Sequence, residues 1–156
     1  MKSKINIQLT RSVIAIFWMG FFMAISFMEA PLKFTAPHLS MAEGLQIGKL
    51  VFGMLNVCEW SFLVIIAITC LIQKPQKEEG RLIAVLALIM TLETFWLLPA
   101  LGKDADKIIN GDIVTEHSQH WGYVALELVK APVLLFIGIT GLRSSLGECR
   151  LNTQTS

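Results

Sequence analysis

The sequence predicts an all-α integral membrane protein, a bundle of four helices that run up and down through the bilayer. Hydrophobic residues make up 54% of the 156-residue chain, and charged residues make up only 16%. The apolar residues gather in blocks of about 20, the length that a helix rising 1.5 Å per residue needs to cross a hydrocarbon core roughly 30 Å thick. We therefore expect residues 1–156 to form a single transmembrane domain.

The predicted spans follow from these blocks, and the segments between them carry loop signals. The connecting segments contain prolines, runs of charge or an Asn-Gly turn. The first block is long for the apolar region of a secretory signal and is followed by a poor cleavage site, so we expect it to remain as a span. The predicted spans are residues 12–29, 50–72, 82–101 and 121–142.

Lysine and arginine are unevenly distributed among the segments outside the spans. Eight lie in the N-terminal segment, the middle loop and the C-terminal tail: Lys2, Lys4, Arg11, Lys74, Lys77, Arg81, Arg143 and Arg150. The other two loops hold four: Lys33, Lys49, Lys103 and Lys107. Because basic residues in short loops favour the cytoplasm, both termini are expected to be cytoplasmic, in a cell membrane of the bacterial inner-membrane type. The opposite end of the bundle is the predicted outer end.

Each predicted span carries one glutamate, and these residues give the clearest indication of function: Glu29, Glu59, Glu93 and Glu127. A carboxylate within the hydrocarbon region is costly, so such residues usually face a bundle interior or a wet cavity. In the predicted orientation all four lie in the outer half of the bilayer, and the last three lie roughly 9 to 14 Å below its outer surface. Polar side chains on four helices can be satisfied only against one another, which predicts a buried site.

The fourth span adds histidines and a lysine to this site. His117, His120 and Glu127 share one helical face, and Lys130 continues that face one turn later. On the third span, Trp96 is expected to share the face of Glu93.

These ligand types suggest a metal site. Carboxylate oxygens and neutral imidazoles suit Fe, Mn or Zn, so a possible metal cofactor would be held by Glu59, Glu93, Glu127 and His120. His117 would serve as an outer ligand or a proton shuttle. The pattern departs from that of diiron bundles, which use Glu-x-x-His pairs on two helices. Both histidines lie on one span here, and Lys130 would place a cation beside the metal.

A second interpretation needs no metal. Intramembrane carboxylates near lysine or histidine are typical of a proton relay or an ion-coupled transporter. Lys130, Asn56 and Glu29 would belong to this relay. Pro132 and the glycines after it would allow the inner half of the fourth span to bend. The inner halves of the spans carry no charge, so a homodimer or a membrane partner would have to complete a path across the bilayer.

A third interpretation is purely structural. Glu127 and Lys130 could neutralise each other and Asn56 could hydrogen-bond Glu93, so that the network only fixes helix packing in a structural or assembly subunit. Glu29, close to Lys33, could equally lie among the lipid headgroups. The sequence leaves cation binding and the scaffold role open, and it does not decide whether the protein is an enzyme.

Other partners and chemistries are not indicated. The net charge of +1 and the lack of a basic stripe argue against nucleic acid. Cys58 and Cys70 lie within the second span and Cys149 in the tail, so no disulfide is expected. The lipid bilayer is the one partner that the composition requires.

Three segments carry a resemblance to known proteins. They are MEAPLKF at residues 28–34, GKLVF at residues 48–52 and LETFWLLP at residues 92–99. In these segments and in its layout the chain resembles small uncharacterised four-span bacterial integral membrane proteins. The resemblance implies the four-helix arrangement and implies no activity.

Overall fold

The computed structural model describes residues 2–112 and 118–154, with side chains described for residues 7–112, 118–143 and 147. Four long helices, α1 to α4, run through these residues. The helix α1 comprises Lys2–Met23, a π-helical turn at Ala24–Glu29 and a final turn at Ala30–Lys33; α2 is Met41–Ile72; α3 comprises Lys77–Leu92, a π-helical turn at Glu93–Leu97 and Leu98–Ile109; α4 is Ser118–Gln154. The fold class predicted from the sequence is confirmed.

All four helices contain a segment long and apolar enough to cross a membrane, and the chain is a multi-pass membrane protein. Helices that follow one another in sequence pack together, and α1 closes the ring against α4 in the most extensive helix contact of the bundle. The end at which α1 and α3 finish and α2 and α4 begin is called the outer end below, after the predicted orientation. The opposite end is the inner end.

The close contact between α1 and α4 depends on two glycines. A Cβ atom at Gly138 would collide with Ile16, and one at Gly141 would collide with Ser12. The helix α4 continues through Pro132 as one element. These glycines therefore bring the two backbones together, a role that differs from the bending expected from the sequence.

The helix α2 begins nine residues before the predicted span, at Met41 instead of residue 50. Its start is a capping box. The Ser40 hydroxyl accepts a hydrogen bond from the Glu43 backbone N–H at 3.3 Å, and the Glu43 carboxylate accepts one from the Ser40 N–H at 2.8 Å. Two backbone donors that a helix start leaves unpaired are thereby satisfied, which stabilises the early start.

The helix α3 likewise continues beyond its predicted end, to Ile109. Residues 41–49 and 102–109, both predicted as loops, are therefore helical. The Lys49 ammonium and the Asp106 carboxylate join the two extensions at 2.6 Å. Because both side chains are well exposed, this ion pair contributes only about 0 to 1 kcal/mol.

A π-helical turn precedes a proline in both α1 and α3. Ala24–Glu29 lies before Pro31, and Glu93–Leu97 lies before Pro99. A proline has no N–H to bond the carbonyl four residues earlier. A turn with wider hydrogen-bond spacing accommodates that missing bond, and the helix continues past the proline.

The π-helical turn also corrects a prediction about α3. Trp96 was expected on the face of Glu93, but it is 63% exposed, whereas Leu97 is buried. The wider turn rotates each residue by less than the 100° of an α-helix, so the residue four positions after Glu93 returns to the interior instead of the residue three positions after it.

Each helix directs one stripe of side chains into the core, and the charged residues lie within these stripes. The spacing of three and four residues is that of a helix face. The stripes are Arg11, Ala15, Trp18 and Phe22 on α1; Leu55, Glu59, Leu63 and Ile66 on α2; Leu86, Met90, Glu93 and Leu97 on α3; and Tyr123, Glu127, Lys130, Leu134 and Ile137 on α4.

Candidate functional site

Three carboxylates from three helices converge on one ammonium group in the core. The Lys130 Nζ lies 2.8 Å from Glu59 Oε1, 2.8 Å from Glu93 Oε2 and 3.3 Å from Glu127 Oε1. Each glutamate has an oxygen within 4.8 Å of an oxygen of each of the others. These four residues are called the central cluster below.

The central cluster is sealed from solvent and from the surface of the bundle. Lys130 and Glu127 are 0% exposed, and Glu59 and Glu93 are 1% exposed. Ions in such surroundings lose their hydration, a cost of several kcal/mol each that only close and complete pairing offsets. The pairing of the central cluster therefore decides its chemistry.

Glu59 is the best paired of the three carboxylates. Its Oε1 accepts hydrogen bonds from both the Trp18 indole N–H and Lys130, each at 2.8 Å. Trp18 thus joins α1 to the central cluster. The Lys130 ammonium also lies 5.2 Å from the centre of the Phe22 ring, a cation–π contact with the same helix.

The other two glutamates are only half paired. Glu93 Oε1 and Glu127 Oε2 are buried and have no hydrogen-bond partner in the part of the chain that the structure describes. If all three carboxylates are ionised, three negative charges face one positive charge, which leaves the central cluster at −2. A buried excess charge of this size favours the uptake of positive charge from outside the cluster.

Aromatic side chains cover the cluster toward the outer end. Tyr123 lies one turn before Glu127 on the buried face of α4. The Tyr123 ring meets Phe52 of α2 edge to face, with 5.5 Å between centroids. The Lys33 ammonium lies 5.4 Å from the centre of the Phe52 ring. Tyr123, Phe52 and Lys33 therefore follow one another from the cluster toward the outer end.

A second buried charge lies at the inner end. The Arg11 guanidinium pairs with Glu79 Oε1 at 2.9 Å and donates to the Thr69 hydroxyl at 3.1 Å. It also donates to the carbonyls of Thr69 and Gln73, at 3.2 and 2.8 Å, where α2 ends. Arg11 thereby holds α1, α2 and α3 together and gives the Gln73 carbonyl at the end of α2 a donor; the Thr69 carbonyl also accepts the Gln73 backbone N–H at 2.9 Å.

The predicted site residues separate into two groups. Glu59, Glu93, Glu127 and Lys130 meet in the central cluster, as the sequence suggested. His120 is exposed and packs against Trp121, with 6.0 Å between ring centroids. It precedes Glu127 by seven residues, or roughly 10 Å along the helix, so it does not reach the cluster. His117 lies outside the described residues.

Asn56 and Glu29 also lie apart from the central cluster. The Asn56 amide donates to the Thr94 hydroxyl at 3.0 Å, and the Trp60 indole donates to the same hydroxyl at 2.8 Å, so the expected bond from Asn56 to Glu93 is replaced by one to its neighbour. Glu29 pairs with Lys33 at 3.5 Å and keeps 34% of its side chain exposed.

The structural interpretation of Glu127 and Lys130 needs a further correction. In that interpretation the two residues could neutralise each other. Lys130 instead lies closer to Glu59 and Glu93 than to Glu127. Glu127 is therefore not its main partner, and replacing Glu127 would leave Lys130 with two carboxylates.

Sequence reasoning missed Trp18, Tyr123 and Arg11 as members of the polar network. A signal for two of them was available, since Arg11 and Trp18 lie seven residues apart and share a helix face with Phe22. An indole N–H and a phenol hydroxyl within an apolar span need partners, which also marks Trp18 and Tyr123 as residues that contact polar groups.

Comparison with known protein families, with curated proteins and with solved structures found no match. The central cluster is therefore interpreted from its own geometry and charge.

Proposed function

We propose that this multi-pass membrane protein binds exchangeable cations at the central cluster, and that these cations are protons. The observation that carries the proposal is the imbalance of three buried carboxylates against one buried ammonium. Protons bound to two of the carboxylates would bring the cluster to neutrality with Lys130 still charged. The cluster would then exchange protons as conditions change, as in a relay or an ion-coupled protein.

The hydrogen bonds indicate which carboxylates would carry the protons. Glu59 accepts two donors at 2.8 Å, which stabilises its ionised form. Glu93 and Glu127 each keep one buried oxygen without a donor. A neutral carboxyl with an unpaired oxygen costs less than a buried ionised one, so protons are best placed on these two residues.

The position of Lys130 argues against a metal as the bound cation. Its Nζ occupies the point at which a metal shared by the three carboxylates would lie. Zinc needs oxygen ligands at about 2.0 to 2.2 Å, with neutral histidine or thiolate as common additional ligands. An ammonium at the centre would repel such an ion. Fe, Mn or Zn would bind only after Lys130 had left the carboxylates.

A scaffold role is the second candidate, and one observation favours it. Lys130 of α4 bonds Glu59 of α2 and Glu93 of α3, while Trp18 of α1 bonds Glu59. All four helices are thereby joined at one level, which would fix their register. The two candidates differ in whether the charge of the cluster changes.

Counting protons separates these candidates. The protein in detergent is titrated with an indicator dye over a pH range in which exposed carboxylates stay ionised, and its metal content is measured by elemental analysis. We expect the wild type to release protons that Glu93→Gln and Glu127→Gln do not, because glutamine cannot ionise. The matched control is Glu78→Gln, since Glu78 is exposed and pairs only with Arg81.

The outcomes have distinct meanings. A smaller proton count in both cluster variants, with an unchanged count in Glu78→Gln, supports proton binding. If the wild type contains stoichiometric Fe, Mn or Zn and the cluster variants lose it, the bound cation is a metal and not a proton. Equal proton counts in all four proteins, without bound metal, would leave the scaffold role and overturn the proposal.

A further inference from the structure

The central cluster is separated from the inner end by a thick apolar layer. Along α2, ten residues lie between Glu59 and Thr69, which is roughly 15 Å of helix. The buried side chains at this level are apolar and at most 6% exposed: Ala15, Leu63, Ile66, Leu86, Leu134 and Ile137. Within the described residues, no ionisable side chain is buried between the cluster and the Arg11 to Glu79 pair. Proton movement toward the inner end therefore lacks a donor or acceptor.

On α4 the path toward the outer end contains a hydroxyl. Tyr123 lies one turn before Glu127 on the same buried face of α4 and is 6% exposed. A phenol hydroxyl can donate one hydrogen bond while it accepts another. Above it lie the Phe52 ring and the Lys33 ammonium, whose side chain is 9% exposed. The helix α4 begins at Ser118, five residues before Tyr123, so Tyr123 lies between Glu127 and the outer end of this helix, which is roughly 8 Å away along the helix axis.

We infer that the Tyr123 hydroxyl passes protons between Glu127 and the outer end. The central cluster then takes up and releases protons from that end only. The inference rests on the proposed proton binding. In loading, the Tyr123 hydroxyl gives its proton to a Glu127 oxygen and takes a proton from a water molecule on its outer side. The phenol is restored, one proton has moved inward, a hydroxide is left outside, and no electrons are transferred.

The groups that face Tyr123 and the cluster are few. Among the described residues, α2 contributes Glu59, α3 contributes Glu93, and α4 contributes Glu127 and Lys130. From α1, only Trp18 and Phe22 contact the cluster, and neither ionises near neutral pH. Lys33, paired with Glu29, lies beyond Phe52. Tyr123 is the hydroxyl group that the buried face of α4 carries on the outer side of Glu127.

The test compares exchange rate with exchange capacity in Tyr123→Phe. Phenylalanine keeps the ring against Phe52 and removes only the hydroxyl. After a rapid pH jump, followed with an indicator dye in weakly buffered solution, we expect proton exchange to slow by about tenfold or more. The number of protons exchanged at equilibrium should equal that of the wild type. The melting temperature is measured in parallel to confirm that the variant folds.

Two further variants complete the experiment. Thr91→Ala removes an exposed hydroxyl that bonds the Ala87 carbonyl of its own helix, and it should exchange protons at the wild-type rate. Tyr123→His restores a group that can donate and accept, and it should recover part of the rate. In reconstituted vesicles of uniform orientation, exchange should follow a pH jump on the side of the outer end and not one on the inner side.

The contradictory outcomes are also distinct. An unchanged rate in Tyr123→Phe, or loading from the inner side, would overturn this inference while proton binding stands. If the number of exchanged protons fell together with the rate, Tyr123 would be required for proton binding by the cluster and not for the transfer of protons to it. No proton exchange in the wild type would overturn the proposed function itself.

Discussion

Replacing Lys130 with methionine is expected to destabilise the folded protein by about 3 to 5 kcal/mol, because the substitution removes the buried cation that three buried carboxylates share. Methionine approximates the length and volume of the lysine stem, so the loss reports charge more than packing. The free energy of unfolding in detergent, followed by circular dichroism against denaturant concentration, measures the effect.

The control for this prediction is Lys49→Met. Lys49 forms a shorter ion pair, at 2.6 Å with Asp106, but the two side chains are 40% and 56% exposed. Water competes for exposed charges, so the control should lose only about 0 to 1 kcal/mol. Equal losses in the two variants would mean that burial does not determine the strength of the Lys130 interactions.

Replacing Arg11 with methionine is expected to cost a similar amount, about 3 to 5 kcal/mol. The substitution leaves Glu79 without its partner and removes the Arg11 donors from the Thr69 hydroxyl and the Gln73 carbonyl, while the Thr69 carbonyl keeps the Gln73 backbone N–H. Buried acceptors that lose their donors carry the full cost of desolvation. The same unfolding measurement applies, and proton exchange by the central cluster should be retained in the fraction that folds.

Arg81→Met is the matched control for Arg11. The Arg81 guanidinium forms two hydrogen bonds to Glu78 at 2.8 and 3.0 Å, and its side chain is 72% exposed. Its loss should cost less than about 1 kcal/mol. If Arg11→Met were no more destabilising than Arg81→Met, the inner network would contribute little to the fold.

The fold class could be predicted because apolar blocks of span length are a local property of the sequence. The helix ends depend on capping side chains and on local turn geometry. Ser40 and Glu43 form a capping box whose residues stand in the sequence, but the prediction of a loop before residue 50 did not use this signal. The continuation of α3 past Pro99 requires a π-helical turn, which residue spacing does not reveal.

The candidate site could be predicted in its members and only partly in its arrangement. A carboxylate in each of three apolar spans must find polar partners, which is why Glu59, Glu93 and Glu127 could be expected to meet. The three distances from the Lys130 Nζ to the glutamates depend on how the four helices pack. Residue spacing along α4 placed His120 on the face of Glu127. It does not show at which residue the neighbouring helices stop covering that face.

The central claim is that carboxyl groups of the cluster change protonation while the protein stays folded. Infrared difference spectroscopy between pH values tests it directly, since a protonated carboxyl and a carboxylate absorb at different frequencies. We expect a protonated-carboxyl band that changes with pH in the wild type, is diminished in Glu93→Gln and in Glu127→Gln, and persists in Glu29→Gln. A wild-type spectrum in which no such band changes across that pH range would mean that the cluster carries a fixed charge, and it would contradict proton binding.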